Sequence, residues 1–451
     1  MADGFAQVSL PYGQGHLDFR LDTARCRLVG VYGVVAPEGG LSDTGTAVAE
    51  ALAAPVGSPR LRDVARGCRN VVIISDDATR LTPVSLILPR VVEELDIAGV
   101  ARHNLTVVMA NGTHRPMTPE EIKAKLGEEY ASSLRVENHD YKASDLVDMG
   151  TTPSGVPVMI NRTVADADLV IGIGAIIPHR YCGWSGGAKI VQPGVCGEET
   201  TVATHLMITK DPGVRLGNVE NVVRHEMEAV AERAGLRFIV NAVLSAKGDV
   251  VSVVAGDPVK AHRAGVAAAR QVCAARVPEQ ADVVLASSFP ADINFWQAGK
   301  AFYTADLAVK DGGVIVLLTP AVEGIGEHPE FGDLIPKSRE EILRALDAGL
   351  VADRMGAAAA LAVRLVADRA RVIVVTDGLT ENEVRNMGFE HFGSGQLQAA
   401  VDRAIEIAAA EAAGGASRGE GPGLPLPTVT VLREAPDTLP VIENVGCGCC
   451  G

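Results

Sequence analysis

The sequence predicts an α/β fold of two domains, each a mainly parallel sheet flanked by helices, with the active site in the interdomain cleft. Two observations support this class. Short runs rich in β-branched residues end in polar loops and alternate with longer helical stretches, a pattern typical of βαβ units. Aromatic residues make up only 4% of the 451 residues, whereas 47% are hydrophobic. The core must therefore consist mainly of Val, Ile, Leu and Ala, which suits buried parallel strands.

The first domain is predicted over residues 1–275, as the N-terminal, cofactor-binding and catalytic domain. Its apolar strand-like runs are 70–75 (NVVIIS), 105–109 (LTVVM) and 167–173 (ADLVIGI). They stop at the polar segments DDATR, ANGTHRP and GAIIPHR. The helical stretches of this domain are 119–126, 219–234 and 258–275. Because ligands of parallel α/β sheets bind beyond the carboxyl ends of the strands, these polar loops are the expected site.

The second domain is predicted over residues 281–413, after a boundary at RVPEQ (276–280). Its strands are 281–286, 314–318 and 371–376, and its closing helix is 395–413. Residues 414–427 are rich in Gly, Pro and Ser and predict a linker. The tail, residues 428–451, ends in the cysteine cluster CGCCG and could return to the N-terminal domain. That cluster could bind a soft metal, although a reduced, flexible tail is the favoured interpretation.

Charge and composition exclude several classes of partner. Lys and Arg number 41 against 56 Asp and Glu, a formal charge of −15, so no positive field attracts nucleic acid or an anionic membrane. The amino terminus lacks the basic and apolar regions of a signal peptide, and no run of eighteen apolar residues occurs. We therefore expect a cytoplasmic protein with no membrane partner. Its eight scattered cysteines are expected to be thiols.

The densest chemical signal is the segment 178–197, PHRYCGWSGGAKIVQPGVCG. Ser185, Gly186 and Gly187 precede Lys189, so backbone amides could approach a phosphate or planar ring while the lysine supplies a charge or a nucleophilic amine. The spacing is not that of a Walker A loop. The alternative is a tight turn with an exposed lysine.

Three of the ten histidines stand out by position. His114 in NGTHRP and His179 in IIPHR follow predicted strand ends, and His205 lies in VATHLM. Such side chains can act as general acids, general bases or metal ligands. The alternative for each is a hydrogen-bonded surface histidine.

Charged and polar groups occur in comparable positions in both domains. Asp77 and Arg80 follow the first strand, where an arginine could pair with a carboxylate or a phosphate. Gln297 and Lys300 lie in ADINFWQAGK of the second domain. Their alternative is an ordinary helix start capped by Asp292, with Gln297 and Lys300 on one helix face.

The segments DDATR, NGTHRPMTPEE, IIPHRYCGWSGGAKIVQPGVCG, ATH and DINFWQAGKA occur in an order that resembles the lactate racemase family. The resemblance spans about residues 10–410. It implies a nickel-pincer nucleotide, derived from nicotinic acid mononucleotide, whose two sulfur-containing arms hold nickel. By match of motifs, one arm is covalently attached to Lys189, and His205 is the protein ligand of the nickel. Ser185, Gly186, Gly187 and Asp77 would contact this cofactor, and cofactor maturation proteins would be partners.

The same resemblance implies a racemase or epimerase that inverts a 2-hydroxy carboxylic acid by proton-coupled hydride transfer through a keto acid. His114 and His179 would be the two acid/base residues. Arg80 and Lys300 would hold the substrate carboxylate, with Asp77 and Gln297 in the same pocket. Trp296 would also face the substrate, and it stands where lactate racemase itself has Tyr, so the resemblance leaves open which 2-hydroxy acid is the substrate.

Four further points stay open at this stage. A cysteine-nucleophile hydrolase could use Cys182 or Cys196 with a nearby histidine, although neither lies on the strand-turn-helix elbow such enzymes favour. A non-catalytic homologue could bind nickel or the nucleotide without turnover. Cys182 and Trp184 could shape the pocket or simply pack. The oligomeric state is not readable from the sequence.

Overall fold

A computed structural model describes residues 4–34, 41, 43–245, 248–326, 328, 330–415 and 425–443. The chain forms two compact units. The middle unit is Ala36–Cys273, and the terminal unit combines Met1–Val35 with Ala274–Gly451. Both are α/β units with mainly parallel sheets, which confirms the predicted fold class.

The strands within the described residues are numbered in chain order. They are β1 (Phe5–Tyr12), β2 (Gly15–Asp22), β3 (Arg27–Tyr32), β4 (Val71–Asp76), β5 (Leu105–Ala110), β6 (Arg135–Asn138), β7 (Val147–Thr151), β8 (Pro157–Ile160), β9 (Leu169–Ile176), β10 (Pro178–His179), β11 (Gly183–Trp184), β12 (Leu236–Leu244), β13 (Val250–Gly256), β14 (Ala274–Val277), β15 (Ala281–Ser287), β16 (Val309–Leu318), β17 (Arg371–Val375), β18 (Glu390–Phe392), β19 (Thr428–Leu432) and β20 (Leu439–Ile442).

The α-helices of the same residues follow the same convention. They are α1 (Thr44–Ala53), α2 (Leu61–Val64), α3 (Val84–Ile97), α4 (Pro119–Leu126), α5 (Glu128–Ser133), α6 (Arg162–Ala165), α7 (Glu198–Leu206), α8 (Val222–Arg233), α9 (Lys260–Cys273), α10 (Phe295–Ala308), α11 (Glu330–Leu334), α12 (Arg339–Asp347), α13 (Arg354–Ala367), α14 (Glu381–Asn386) and α15 (Leu397–Gly415). Short 3₁₀ turns lie at Arg102–Asn104, Gly187–Ile190, Met207–Thr209, Ser394–Gln396 and Ala435–Asp437.

The middle unit is built on a six-stranded sheet of order β13-β12-β9-β4-β5-β6. All neighbours are parallel except β13, which runs antiparallel to β12. Every residue of β4 and β9 is buried, because apolar side chains pack on both faces of these central strands. On one face, Val71 and Ile73 share a core with Val84 and Ile87 of α3. The carboxyl ends of β9, β4 and β5 therefore lie side by side.

The terminal unit is built on a parallel six-stranded sheet of order β18-β17-β16-β15-β19-β3. Helix α15 and the β1–β2 hairpin cover one face, where Leu10 and Val401 share a core with Val283 and Val314. Strand β20 pairs with β14 outside this sheet.

The two ends of the chain correct the predicted domain boundaries. Residues 1–35 belong to the terminal unit and not to a domain over 1–275, because β3 pairs with β19. The described part of the tail also lies in the terminal unit, where β19 is placed between β15 and β3 and so pairs with a strand from the N-terminal residues. Most of the predicted linker (416–424) and the CGCCG cluster lie outside the described residues. No helix in the described ranges is long and apolar enough to cross a membrane.

Candidate functional site

The predicted polar residues of the middle unit directly follow three neighbouring strands, at one edge of the sheet. Asp77 and Arg80 follow β4, His114 follows β5, and His179 follows β9. Because β9, β4 and β5 are adjacent and parallel, these loops emerge beside one another. This grouping of the loops agrees with the sequence expectation.

His114 and Asp77 form a tight pair. The distance from His114 Nδ1 to Asp77 Oδ2 is 2.6 Å, and the carboxylate is buried. Burial alone would raise the pKa of Asp77, but the hydrogen bond and charge of His114, with the charge of Arg80, hold that pKa well below its usual range. An ionised carboxylate can only accept, so Nδ1 of His114 carries a hydrogen and Nε2 can bear a lone pair. Nε2 is then available as a base.

The Asp77 loop is fixed by contacts of two further residues, Thr79 and Lys125. Thr79 donates from its backbone N–H (3.0 Å) and its hydroxyl (2.6 Å) to Asp77 Oδ1. Lys125 Nζ donates to the Arg80 carbonyl at 2.8 Å and lies 2.8 Å from Asp76 Oδ1, in a buried ion pair. The main chain of Arg80 is thereby held, and no hydrogen bond or ion pair of its guanidinium occurs among the described residues.

His179 has the opposite hydrogen-bond environment. Its Nδ1 accepts from the backbone N–H of Tyr181 at 3.3 Å and lies 3.3 Å from Cys182 Sγ. Burial, together with the charges of Lys189 and Arg80, lowers the pKa of His179 well below its usual value. The ring is therefore neutral, and a lone pair on Nδ1 places its hydrogen on Nε2.

His205, in the last turn of α7, is prepared as a neutral ligand. Its Nδ1 donates to the Thr201 carbonyl at 2.8 Å, which leaves the Nε2 lone pair free. Burial lowers the pKa of His205 to about 4, so the ring is neutral at pH 7. The Tyr181 ring packs against it at 4.3 Å between centroids, and the same ring lies 6.0 Å from that of His179. Orientation of a ligating histidine by a carbonyl at its other nitrogen is a common feature of metal sites.

Lys189 lies in a 3₁₀ turn and is half-buried, not exposed as the alternative interpretation required. Burial, with the positive charge of Arg80, lowers its pKa to about 8. A minor fraction of the amine, on the order of one tenth, is therefore neutral at pH 7, and the neutral form is the one that nucleophilic chemistry at a lysine requires.

The glycines before Lys189 are required by close packing. Gly187 has φ 58°, and a Cβ there would lie 2.9 Å from the His262 ring. Gly186 has φ 73°, and a Cβ there would lie 2.8 Å from Asn241 Oδ1. The Gly187 amide donates to Asn241 Oδ1 at 2.8 Å, and the Ser185 hydroxyl donates to the Ala175 carbonyl at 2.7 Å. These groups hold the loop, and their contact with a cofactor stays a prediction.

Arg224 of α8 is a residue that the sequence interpretation missed. It is fully buried, and its guanidinium donates to the carbonyls of Cys182 (3.3 Å), Gly186 (3.2 Å) and Trp184. It therefore fixes the loop between His179 and Lys189. The available signal was its spacing, because Arg224 shares the i, i+3 stripe of α8 with buried Met227.

Two histidines outside the predicted set, His262 and His139, fix the segment 178–197 through its carbonyls. His262 Nε2 donates to the Ser185 carbonyl at 2.8 Å, and His139 Nε2 donates to the Cys196 carbonyl at 2.9 Å. Cys196 is itself buried, donates to the Val191 carbonyl at 3.2 Å, and has a thiol pKa raised by burial. A buried neutral thiol is a poor nucleophile, which weighs against hydrolase chemistry at Cys196.

The terminal unit presents Trp296, Gln297 and Lys300 on α10. Lys300 Nζ donates to Gln297 Oε1 at 2.8 Å. The helix is capped by Asn294, which accepts from the Gln297 amide at 2.9 Å, and not by Asp292 as the alternative interpretation supposed.

The Trp296 indole is packed between two rings of the terminal unit. It lies 4.2 Å from the His328 ring and 5.2 Å from the Phe331 ring between centroids. His328 Nδ1 in turn lies 2.9 Å from Asp353 Oδ1. The His328–Asp353 pair, which the sequence did not single out, fixes one face of the indole. No group of three or more His, Cys, Asp or Glu side chains suited to a metal ion occurs among the residues described.

Comparison with known proteins gives two family models that match this chain. Residues 12–217 match the lactate racemase N-terminal domain, and residues 277–414 match the lactate racemase C-terminal domain. Lactate racemase from Thermoanaerobacterium thermosaccharolyticum is 33% identical over 330 residues, which cover 71% of this chain and 76% of the relative. Lactate racemase from Lactiplantibacillus plantarum is 34% identical over 294 residues, 64% of this chain and 68% of the relative.

Two solved structures are also similar. The lactate racemase apoprotein from Thermoanaerobacterium thermosaccharolyticum superposes with a TM-score of 0.82 at 27% identity, covering 97% of this chain and all of that chain. A Thermotoga maritima protein shares the fold, with a TM-score of 0.67 at 20% identity, covering 89% of this chain and 98% of that chain.

Proposed function

The chain belongs to the lactate racemase family, and from this premise we propose that it inverts the hydroxyl-bearing carbon of a small 2-hydroxy carboxylic acid. Family membership makes the protein an isomerase of the racemase type. The observation that carries the proposal is the placement of His114 and His179 on the loops that flank the Asp77–Arg80 loop. Two histidines at one sheet edge supply the two proton-transfer groups that stereoinversion needs.

The nickel-pincer nucleotide implied by the family fits two groups of the middle unit. The Lys189 amine, with its pKa of about 8, suits a covalent link to the cofactor. The free Nε2 of His205 suits a nickel ligand whose orientation is fixed by the Thr201 carbonyl. When bound, the cofactor would accept a hydride from the substrate carbon and return it to either face.

The protein side chains would then bind and orient the substrate and move its hydroxyl proton. His114 accepts this proton at Nε2, since Asp77 holds the hydrogen on Nδ1. His179 performs the same task for the opposite enantiomer. Arg80, whose main chain is fixed by Lys125, holds the carboxylate through its planar guanidinium. Lys300 and Gln297 are proposed to bind the same substrate, and Trp296 to contact its side chain.

The cofactor assignment is tested by mass and metal analysis of the protein produced with and without the cofactor maturation proteins. We expect one nickel per chain and a nucleotide adduct that peptide mapping places on Lys189. His205→Ala is expected to lose nickel while the adduct remains. Fully active protein with unmodified Lys189 would refute the assignment.

The reaction is tested with a panel of chiral 2-hydroxy acids, including lactate. Each of His114→Ala and His179→Ala should abolish racemisation in both directions, because one histidine takes the proton and the other returns it. With substrate deuterated at the reacting carbon, the label should largely stay on carbon, since hydride does not exchange with water. Rapid washout of deuterium would indicate carbanion chemistry instead.

The same experiments separate the alternatives. A cysteine hydrolase would lose all activity when Cys182 and Cys196 are replaced by Ser, whereas the racemase stays active. A non-catalytic homologue would bind nickel and nucleotide yet invert no acid in the panel.

A further inference from the structure

Cys182 lies three residues after His179 and directs its thiol toward the histidine ring. Its Sγ is 3.3 Å from His179 Nδ1 and 3.1 Å from the Trp184 carbonyl oxygen. The cysteine is fully buried, so these two groups compete for a single thiol hydrogen. The carbonyl can only accept, whereas the ring nitrogen can accept or donate.

The tautomer that the Tyr181 amide favours at His179 is not the one that its proposed task requires. Since the Tyr181 amide donates to Nδ1, the free protein carries the ring hydrogen on Nε2. To accept a hydroxyl proton at Nε2, the ring must instead carry its hydrogen on Nδ1. After acceptance the imidazolium carries hydrogens on both nitrogens. Both catalytic states therefore need a hydrogen-bond acceptor at Nδ1, which a backbone N–H cannot provide.

We propose that Cys182 is a positioning residue that supplies this acceptor. When Nδ1 is protonated, the thiol donates its hydrogen to the Trp184 carbonyl and presents a sulfur lone pair to the ring. When Nδ1 carries no hydrogen, the thiol can instead donate its hydrogen to Nδ1. Cys182 thus does for His179 what Asp77 does for His114, but it tolerates both tautomers. The proposal rests on the acid/base role of His179 in the proposed function.

Arg224 keeps the two acceptors in place for this exchange. Its guanidinium donates to the carbonyls of Cys182 and Trp184, so the sulfur and the Trp184 oxygen are held on a fixed loop. Because the Trp184 carbonyl already receives a hydrogen from Arg224, it stays satisfied when the thiol turns away.

The first test reads the tautomer directly in the apoprotein, through the ring nitrogen shifts of His179 in protein labelled with [¹⁵N]histidine. We expect wild-type shifts averaged between two forms, with the hydrogen mainly on Nε2. In Cys182→Ala the shifts should move to those of the pure Nε2–H form, whereas Cys182→Ser should stay near wild type. The control Cys68→Ala, a thiol bonded only to the Val64 carbonyl among the contacts described, should cause no change. Identical shifts in wild type and Cys182→Ala would overturn the proposal.

The second test measures racemisation in protein whose Lys189 adduct and nickel content match wild type. Cys182→Ala should lower kcat/KM by roughly 10- to 100-fold, since a buried N–H loses its acceptor. Both directions should fall equally, because two enantiomers in solution have an equilibrium constant of one. Cys182→Ser should stay within about fivefold of wild type, because a hydroxyl also donates and accepts. Unchanged kcat/KM in Cys182→Ala would overturn the proposal.

If Cys182→Ala does not fold, Cys182→Val takes its place in both tests, since it nearly keeps the side-chain volume. If the wild type racemises no acid, the proposed function fails, while the nitrogen shifts still decide whether Cys182 sets the tautomer.

Discussion

Replacing Arg224 with Met should loosen the loop that carries His179 and Lys189 without unfolding the protein. The change keeps most of the side-chain volume but removes three hydrogen bonds to main-chain carbonyls. Each bond from a charged donor contributes roughly 1.5–3 kcal/mol, and the two longer ones belong at the lower end. Part of this loss is offset, because each carbonyl keeps another donor; the Trp184 amide, for example, donates to the Cys182 carbonyl at 2.8 Å. The cost of burying the charge of Arg224 also disappears in the variant.

These contributions leave an expected loss of about 3 kcal/mol in the free energy of unfolding, part of the 5–15 kcal/mol typical of a folded domain. For a unit of this size, that loss corresponds to a fall in Tm of roughly 6–12 °C. We also expect poor attachment of the nucleotide at Lys189, because the Gly186 carbonyl beside it is no longer held. Calorimetry and intact mass measure the two effects.

The matched control is Arg233→Met on the same helix. Arg233 is exposed and makes a single 3.2 Å hydrogen bond to the Met149 carbonyl, so its loss should change stability by about 0.5 kcal/mol or less. If Arg224→Met melts within about 2 °C of wild type and loads cofactor fully, the guanidinium does not hold this loop.

Three other perturbations address the middle unit. Asp77→Asn should lower kcat/KM by roughly 30- to 1000-fold, because an amide no longer keeps the hydrogen on His114 Nδ1. Steady-state kinetics at matched nickel content measures this change. A loss below threefold would contradict the proposed role of Asp77. Lys125→Met should lower the free energy of unfolding, measured in urea, by about 3–5 kcal/mol, because it leaves the Asp76 carboxylate buried without its cation. If the variant is as stable as wild type, Asp76 is already neutral in the folded protein. The pKa of His139 is lowered by burial, so the folded state binds fewer protons than the unfolded state below about pH 6.5. The stability of the apoprotein should therefore be complete above pH 7 and fall toward pH 5, by at most about 1.4 kcal/mol per pH unit from this histidine, and the fall should be smaller in His139→Gln.

The sequence predicts those parts of the fold that rest on local patterns. The buried run from residue 70 predicts β4 to within one residue, because a central strand covered on both faces is apolar throughout. The same adjacency of parallel strands places His114 beside Asp77. By contrast, β3 is half-exposed and pairs with a strand about four hundred residues away. No local pattern in β3 identifies β19 as the strand with which it pairs.

In the site, too, the residues that follow a local pattern could be predicted, whereas those that depend on distant contacts could not. Polar residues after strand ends could be found from the sequence, because the loops that carry them have a recognisable position. Lys125 could not, and Arg224 left only the weak signal of its spacing from Met227, since both lie in helices whose charges usually face water. Tertiary contacts show both side chains to be buried. The tautomers of His114 and His179 likewise depend on single hydrogen bonds, which no sequence pattern encodes.

The pairing of β3 with β19 also determines the order in which the protein can fold as the ribosome makes it. The middle unit is one continuous stretch of chain, so it can complete its sheet while the rest of the polypeptide is still being synthesised. The sheet of the terminal unit cannot be completed in this way, because β19 fills the position between β3 and β15 and is the last of its six strands to be translated. Until residues 428–432 leave the exit tunnel, β15 lacks its neighbour on that side and β3 lacks the strand with which it pairs. A premature stop codon before residue 428 would therefore remove the strand that pairs with β3, near the amino terminus of the chain.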